Sequence, residues 1–118
     1  MALLTCNLTI DQGATYRQSF LWRQGAAGST PQDLTGYTAR MQIRQSVLDS
    51  TVLLDMTSAN AGIALGGASG VVQLYIAATA TTALPAGQAV YDLEMVAPNG
   101  DVTRLLQGSV NISGEVTR

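Results

Sequence analysis

Asp92 and Glu94 are the residues best spaced for acid–base chemistry in this chain, two carboxylates on one face of the alternating run YDLEMV. On a strand they stand about 7 Å apart at the Cα level. No cleft is expected beside them, so they read as a solvated strand face. Cys6 is the one cysteine, which rules out an internal disulfide. In LTCNLTI, Leu4, Cys6, Leu8 and Ile10 share one phase of an apolar–polar alternation, which reads as a small buried hydrophobe and not a nucleophile. The chain has no histidine. Ser-His-Asp and Cys-His arrangements and the usual zinc sites are therefore excluded. The glycines of ALGGASG come without the lysine and the strand-to-helix setting of a phosphate loop, and read as a turn. The expectation is a protein that is not an enzyme, with no cofactor and no metal.

The remaining chemistry lies in charge. Six basic residues, all arginine, stand against eight acidic ones for a formal charge of −2. Without lysine and without a basic excess, a nucleic-acid footprint is not expected. No apolar run reaches the ~20 residues of a membrane helix, and no membrane partner is expected. If the strands around Phe20 and Met41 are neighbours, Arg17, Arg23, Arg40 and Arg44 emerge from one outer face. Such a face is either an ordinary solvated surface or a protein contact surface, since arginine binds carboxylates bidentately and is enriched at interfaces. The ending Gly114, Glu115, Val116, Thr117 and Arg118 is a second candidate contact, a tail that nothing in its sequence requires to be buried.

These groups must be carried by strands. The 118 residues are read as one domain, 1–118, long enough to hold a core without disulfide or metal support. Period-two alternation recurs between Gly, Pro, Asn and Asp breakers. ATYRQSFLWR sets Tyr16, Gln18, Phe20 and Trp22 against Arg17, Ser19, Leu21 and Arg23. GYTARMQIR sets Tyr37, Ala39, Met41 and Ile43 against Thr38, Arg40, Gln42 and Arg44. TVLLDMT carries Val52, Leu54 and Met56 on one side, and IALGGASGVVQLYI reads as two short strands with Val72, Leu74 and Ile76 inward. AATATTALPAG breaks the pattern, and a short helical turn near 78–84 is expected, capped by Thr79 and with Leu84 tucked beneath. The last two runs form a hairpin around Asn99-Gly100, expected as a two-residue type I′ turn. That register places Met95 opposite Arg104, Glu94 opposite Leu105, Asp92 opposite Gln107, Leu93 opposite Leu106 and Tyr91 opposite Gly108. The fold class is all-β, an antiparallel, immunoglobulin-like sandwich. Its expected core includes Phe20, Trp22, Tyr37, Met41, Ile43, Leu74, Ile76, Tyr91, Leu93, Leu106 and Val110.

IDQGATYRQSFLWR, DLTGYTARMQIRQS, ALPAGQAVYDLEMVAPNGDVTRLLQGSVNIS and the closing GEVTR together resemble small virion proteins of tailed phages and prophages, and the N-terminal domain of phage baseplate upper proteins. Residues 46–76 are the least characteristic part. The resemblance carries structural positions, Gly13, Trp22, Leu34, Gly36, Tyr37, Pro85, Gly87, Tyr91 and Gly108, and no catalytic or metal residue. It implies a multicopy virion building block of the tail, baseplate or collar, an adaptor or fibre-attachment subunit whose partners are other phage virion proteins. Its location would be the virion, after synthesis in the bacterial cytoplasm. Baseplate upper proteins continue into a receptor-directed part that does not follow Arg118 here, so no direct receptor binding is expected. The alternatives are a capsid decoration protein and a cytoplasmic carbohydrate- or peptide-binding module, for which Tyr75 is the one ring phased outward.

Overall fold

Val72, Leu74 and Ile76 on one side, and Met41, Ile43, Tyr91, Leu93 and Met95 on the other, lose their water to a single shared interior. Each set alternates along its strand with polar residues, and burying both sets at once requires two sheets face to face. The computed structural model describes residues 4–24 and 30–117. The larger sheet runs in the order β1 (Leu4–Thr5), β11 (Val102–Ser113), β10 (Gly87–Val96), β6 (Thr38–Arg44), β7 (Leu54–Thr57), with β2 (Leu8–Asp11) also pairing β11. The smaller sheet is β3 (Tyr16–Leu21), β9 (Val71–Ile76), β8 (Ile63–Leu65), and β4 (Arg23–Gln24) with β5 (Thr30–Pro31) forms a short ribbon beside it. All pairings are antiparallel except those of β1 and β2 with β11. Strands β11–β10–β6–β7 take the places of G, F, C and C′ in an immunoglobulin sandwich, and β3, β9, β8 those of B, E and D. The all-β sandwich is thus the fold observed.

The terminal hairpin differs from its expected register near the turn. Ala97 N–H donates to the Asp101 carbonyl at 2.8 Å and Gly100 N–H to the Ala97 carbonyl at 2.9 Å. The pairs are Met95 with Thr103 and Glu94 with Arg104. A two-residue turn needs a backbone N–H from Pro98, which has none. The chain instead puts Pro98 second in a type I turn and gives the left-handed position to Gly100, at φ 93°. A bulge between Leu93 and Glu94 absorbs the extra residue, so Leu93–Leu106, Asp92–Gln107 and Tyr91–Gly108 pair as expected. The bulge also turns Leu105 into the core, where the expected register had left it in solvent.

The helical turn α1 spans Ala78–Thr82, but Ala77 stands at its N-cap and no side chain caps it. Thr79 is exposed. Thr81 is the buried threonine, and its hydroxyl bonds the carbonyls of Ala14 at 2.9 Å and Ala78 at 3.0 Å. Leu84 is buried beneath the turn as expected. Phe20, Trp22 and Tyr37 pack against the core half-buried and do not lie within it. Phe20 is on β3, an edge of the three-stranded sheet, so it reaches only the margin of the interior, while Trp22 lies between β3 and β4 and Tyr37 just before β6, both at strand ends.

Candidate functional site

Strand β6 stands between β10 and β7, and its outward residues Arg40, Gln42 and Arg44 meet Glu94, Asp92 and Val90 across one ladder and Thr57 and Asp55 across the other. Above this ladder lies an open groove of about 450 Å³, lined among others by Arg40, Gln42, Arg44, Val47, Asp55 and Asp92. Its charges are largely answered within the sheet. Arg40 Nε lies 2.8 Å from Glu94 Oε1, and Arg104 Nε 3.6 Å from Asp92 Oδ2. Both pairs are cross-strand neighbours in solvent, each contributing about 0–1 kcal/mol.

Arg44 does something different. Its guanidinium donates to the Asp49 carbonyl at 2.7 Å and to Gln42 Oε1 at 2.8 Å, and so braces the loop of residues 45–50. That loop presents Val47 and Leu48, 82% and 95% exposed, at the end of the groove. Two adjacent aliphatic side chains are thus held out in water beside a face on which acidic and basic side chains alternate. They offer no chemistry. Among the described residues no three of His, Cys, Asp and Glu gather where a metal could be held.

The expected four-arginine face is not formed. It depended on β3 and β6 being neighbours, and they lie in different sheets. Arg40 and Arg44 share the outer face of the larger sheet. Arg17 lies on the smaller sheet with its guanidinium 5.0 Å from the Tyr75 ring centre, and Arg23 lies on the β4–β5 ribbon. The tail is also more constrained than its sequence implies. Gln12 Oε1 accepts the Glu115 N–H at 3.0 Å while Gln12 Nε2 donates to the Leu84 carbonyl at 2.6 Å. The Glu115 carboxylate lies over Gly13. One glutamine amide thus joins the N-terminal turn, the corner after α1 and the start of the tail. Gly114 is exposed, Glu115 half-buried, and Val116 and Thr117 exposed, whereas Arg118 lies outside the described residues. Sequence reasoning missed Gln12, which sits in an Asp-Gln-Gly breaker with no periodicity to flag its side chain.

Asp33 lies apart from the outer face of the larger sheet, in the turn before Tyr37. The Thr35 hydroxyl at 2.6 Å and the Thr35 N–H at 3.0 Å both donate to it and hold its pKa below the usual aspartate value. This is an exposed turn device.

No family model matches the chain, and no curated protein matches it. Among solved structures, the extracellular domains 3–5 of Drosophila OTK align with 94% of this chain and 33% of that one, at 16% identity and a TM-score of 0.35. This chain therefore spans about a third of the matched structure's length.

Proposed function

We propose that this protein is a non-enzymatic structural subunit of a bacteriophage virion, an adaptor or fibre-attachment piece of the tail, baseplate or collar. The observation that carries the reading is the outer face of the larger sheet. Arg40 and Arg104 pair there with Glu94 and Asp92, Arg44 is held by the Asp49 carbonyl and Gln42, and Val47 and Leu48 stand exposed at its edge. Such a surface is suited to a protein neighbour and has no group placed to transform a substrate. The resemblance of four segments to phage virion proteins supplies the kind of neighbour. In a particle with many copies, modest contacts are multiplied by effective concentration, so each can be weak. The carbohydrate-binding alternative loses its best group, since one face of the Tyr75 ring is taken by Arg17.

The test is incorporation. Val47→Ser with Leu48→Ser changes exposed groups and leaves the fold within about 0.5 kcal/mol of wild type, whereas Arg40→Glu also sets like charges opposite each other at Glu94 and costs about 1 kcal/mol more, so each variant is assayed only once shown to be folded. Particles assembled with each variant are analysed by quantitative mass spectrometry, with tails separated from heads. The reading expects the wild-type protein in the tail fraction and at least one variant depleted from it. Recovery in heads alone would favour a capsid decoration protein, and absence from both fractions would end the virion reading.

A further inference from the structure

The edge of the smaller sheet carries an independent signal. Trp22 N–H donates to the Gly70 carbonyl at 2.9 Å, and the Trp22 carbonyl accepts from Gln32 N–H at 2.8 Å. Both backbone groups of Trp22 therefore point inward along the sheet, toward β9 and β5. Strict alternation, with no register shift along β3, turns the backbone groups of Arg17, Ser19, Leu21 and Arg23 the opposite way. No described strand meets them there. In a constant-type immunoglobulin sandwich strand A lies in the sheet that holds B. Here β1 and β2 both pair with β11 in the other sheet, so no described strand covers the outer edge of the B-like one. The open run Tyr16–Gln24 has no proline, lysine or bulge to blunt it.

Charge says what the edge accepts. Arg40 and Arg104 have carboxylate partners, and Arg44 is held by the Asp49 carbonyl and Gln42. Arg17 and Arg23 have no carboxylate within 4.0 Å among the described residues, and both lie on this edge with their side chains exposed on one face. Six positions separate them, about 20 Å along a strand. The exposed side chain of Leu21 lies between them. A second copy is a poor occupant: antiparallel self-pairing over the whole run sets Arg17 opposite the copy's Arg23, twice, and like charges directly opposed are destabilising. We propose that the β3–β4 edge binds an extended segment of a different protein by strand addition, with acidic side chains six positions apart opposite Arg17 and Arg23 and an apolar one against Leu21. The inference rests on the edge itself and holds whether or not the partner belongs to a virion.

The probe is a short β-forming peptide of alternating threonine and valine with glutamates six positions apart, compared with the same peptide bearing lysines. Each is titrated to low-millimolar concentration into the full isotope-labelled chain, followed by amide shifts and hydrogen exchange. The glutamate peptide should slow exchange at the Arg17, Ser19, Leu21 and Arg23 amides and bind about tenfold more tightly than the lysine peptide. Arg17→Glu with Arg23→Glu should invert that order, and Ser19→Pro, which removes one edge donor, should weaken both peptides. Should Ser19→Pro fail to fold, the charge-reversed variant carries the test alone. No protection at the four amides, equal affinity for the two peptides, an order unchanged by charge reversal, or dimerisation of the chain through this edge would each overturn the proposal.

Discussion

Gly108, Cys6 and Tyr91 explain one another. Residues 4–11 run beside 106–113 in a single register, with a break at Cys6-Asn7. There Cys6 N–H donates to the Gln107 carbonyl at 2.8 Å, and the Tyr91 hydroxyl donates to the Cys6 carbonyl at 2.6 Å. Asn7 Oδ1 takes over a ladder bond by accepting the Ser109 N–H at 3.1 Å. The Cys6 carbonyl passes where a side chain on Gly108 would lie. Gly108→Ala must displace a backbone carbonyl and should cost about 2–3 kcal/mol, read as a lowered denaturation midpoint at constant m-value. Tyr91→Phe loses one hydrogen bond and strands its acceptor, for about 1–2 kcal/mol. Burial first, then Cys6 and Tyr16 nearby, push the Tyr91 pKa well above the ordinary tyrosine range, and burial raises Tyr16 as well. Folded values above unfolded ones mean the stability is fully present below about pH 10 and is lost as pH rises beyond it. The denaturation midpoint of Tyr91→Phe should therefore start lower but fall less steeply above pH 10. Tyr16, raised in the same direction, still contributes to the decline in that variant.

At the scale of elements, the terminal hairpin shows how one missing donor propagates. Pro98 forbids the two-residue turn, the turn moves one residue upstream, and the bulge at Leu93/Glu94 restores the register. A side chain at Gly100 would meet nothing within 4 Å, so Gly100→Ala pays only for the left-handed backbone, about 1–2 kcal/mol. Asn99 has no positive φ. Asn99→Ala loses two exposed contacts, the acceptor of the Asp101 N–H and a long bond from its Nδ2 to Asp101 Oδ2 at 3.4 Å, about 0.5 kcal/mol together. A type I′ turn would make both replacements costly, so the pair of thermal midpoints discriminates between the two turns. The same reasoning reassigns Arg44, which as a loop brace holds Val47 and Leu48 outward.

Across the whole molecule, both sheets feed one cluster, from Ile10 and Val110 at one end of the larger sheet to Ile63 and Val72 in the smaller. Neither sheet has an interior of its own. Unfolding by denaturant should therefore be a single transition in which Trp22 fluorescence and far-ultraviolet circular dichroism coincide. Separate transitions would show the smaller sheet opening independently. Because Trp22 is half-buried and meets Tyr37 edge to face at 5.9 Å, Trp22→Ala should cost about 2–3 kcal/mol, less than full core burial implies.

The alternation in GYTARMQIR, VVQLYI and YDLEMV determined the strands, their inward residues and so the sandwich, because burying every second side chain leaves a strand only one face to offer a core. Position 98 carried enough information to choose the turn, since a missing N–H is a property of proline itself. Which strands become neighbours was decided only by tertiary structure. Arg17 and Arg40 share a phase in their own strands, but phase says which face a side chain takes and nothing about the sheet to which that face belongs. The role of Gln12 and the passage of Cys6 over Gly108 depend on segments roughly a hundred positions apart meeting in space. The edge of β3 depends on the same choice: the N-terminal strands bury Leu8 and Ile10 beside β11, and the β3–β4 run that no described strand covers is the one whose Arg17 and Arg23 have no carboxylate partner among the described residues.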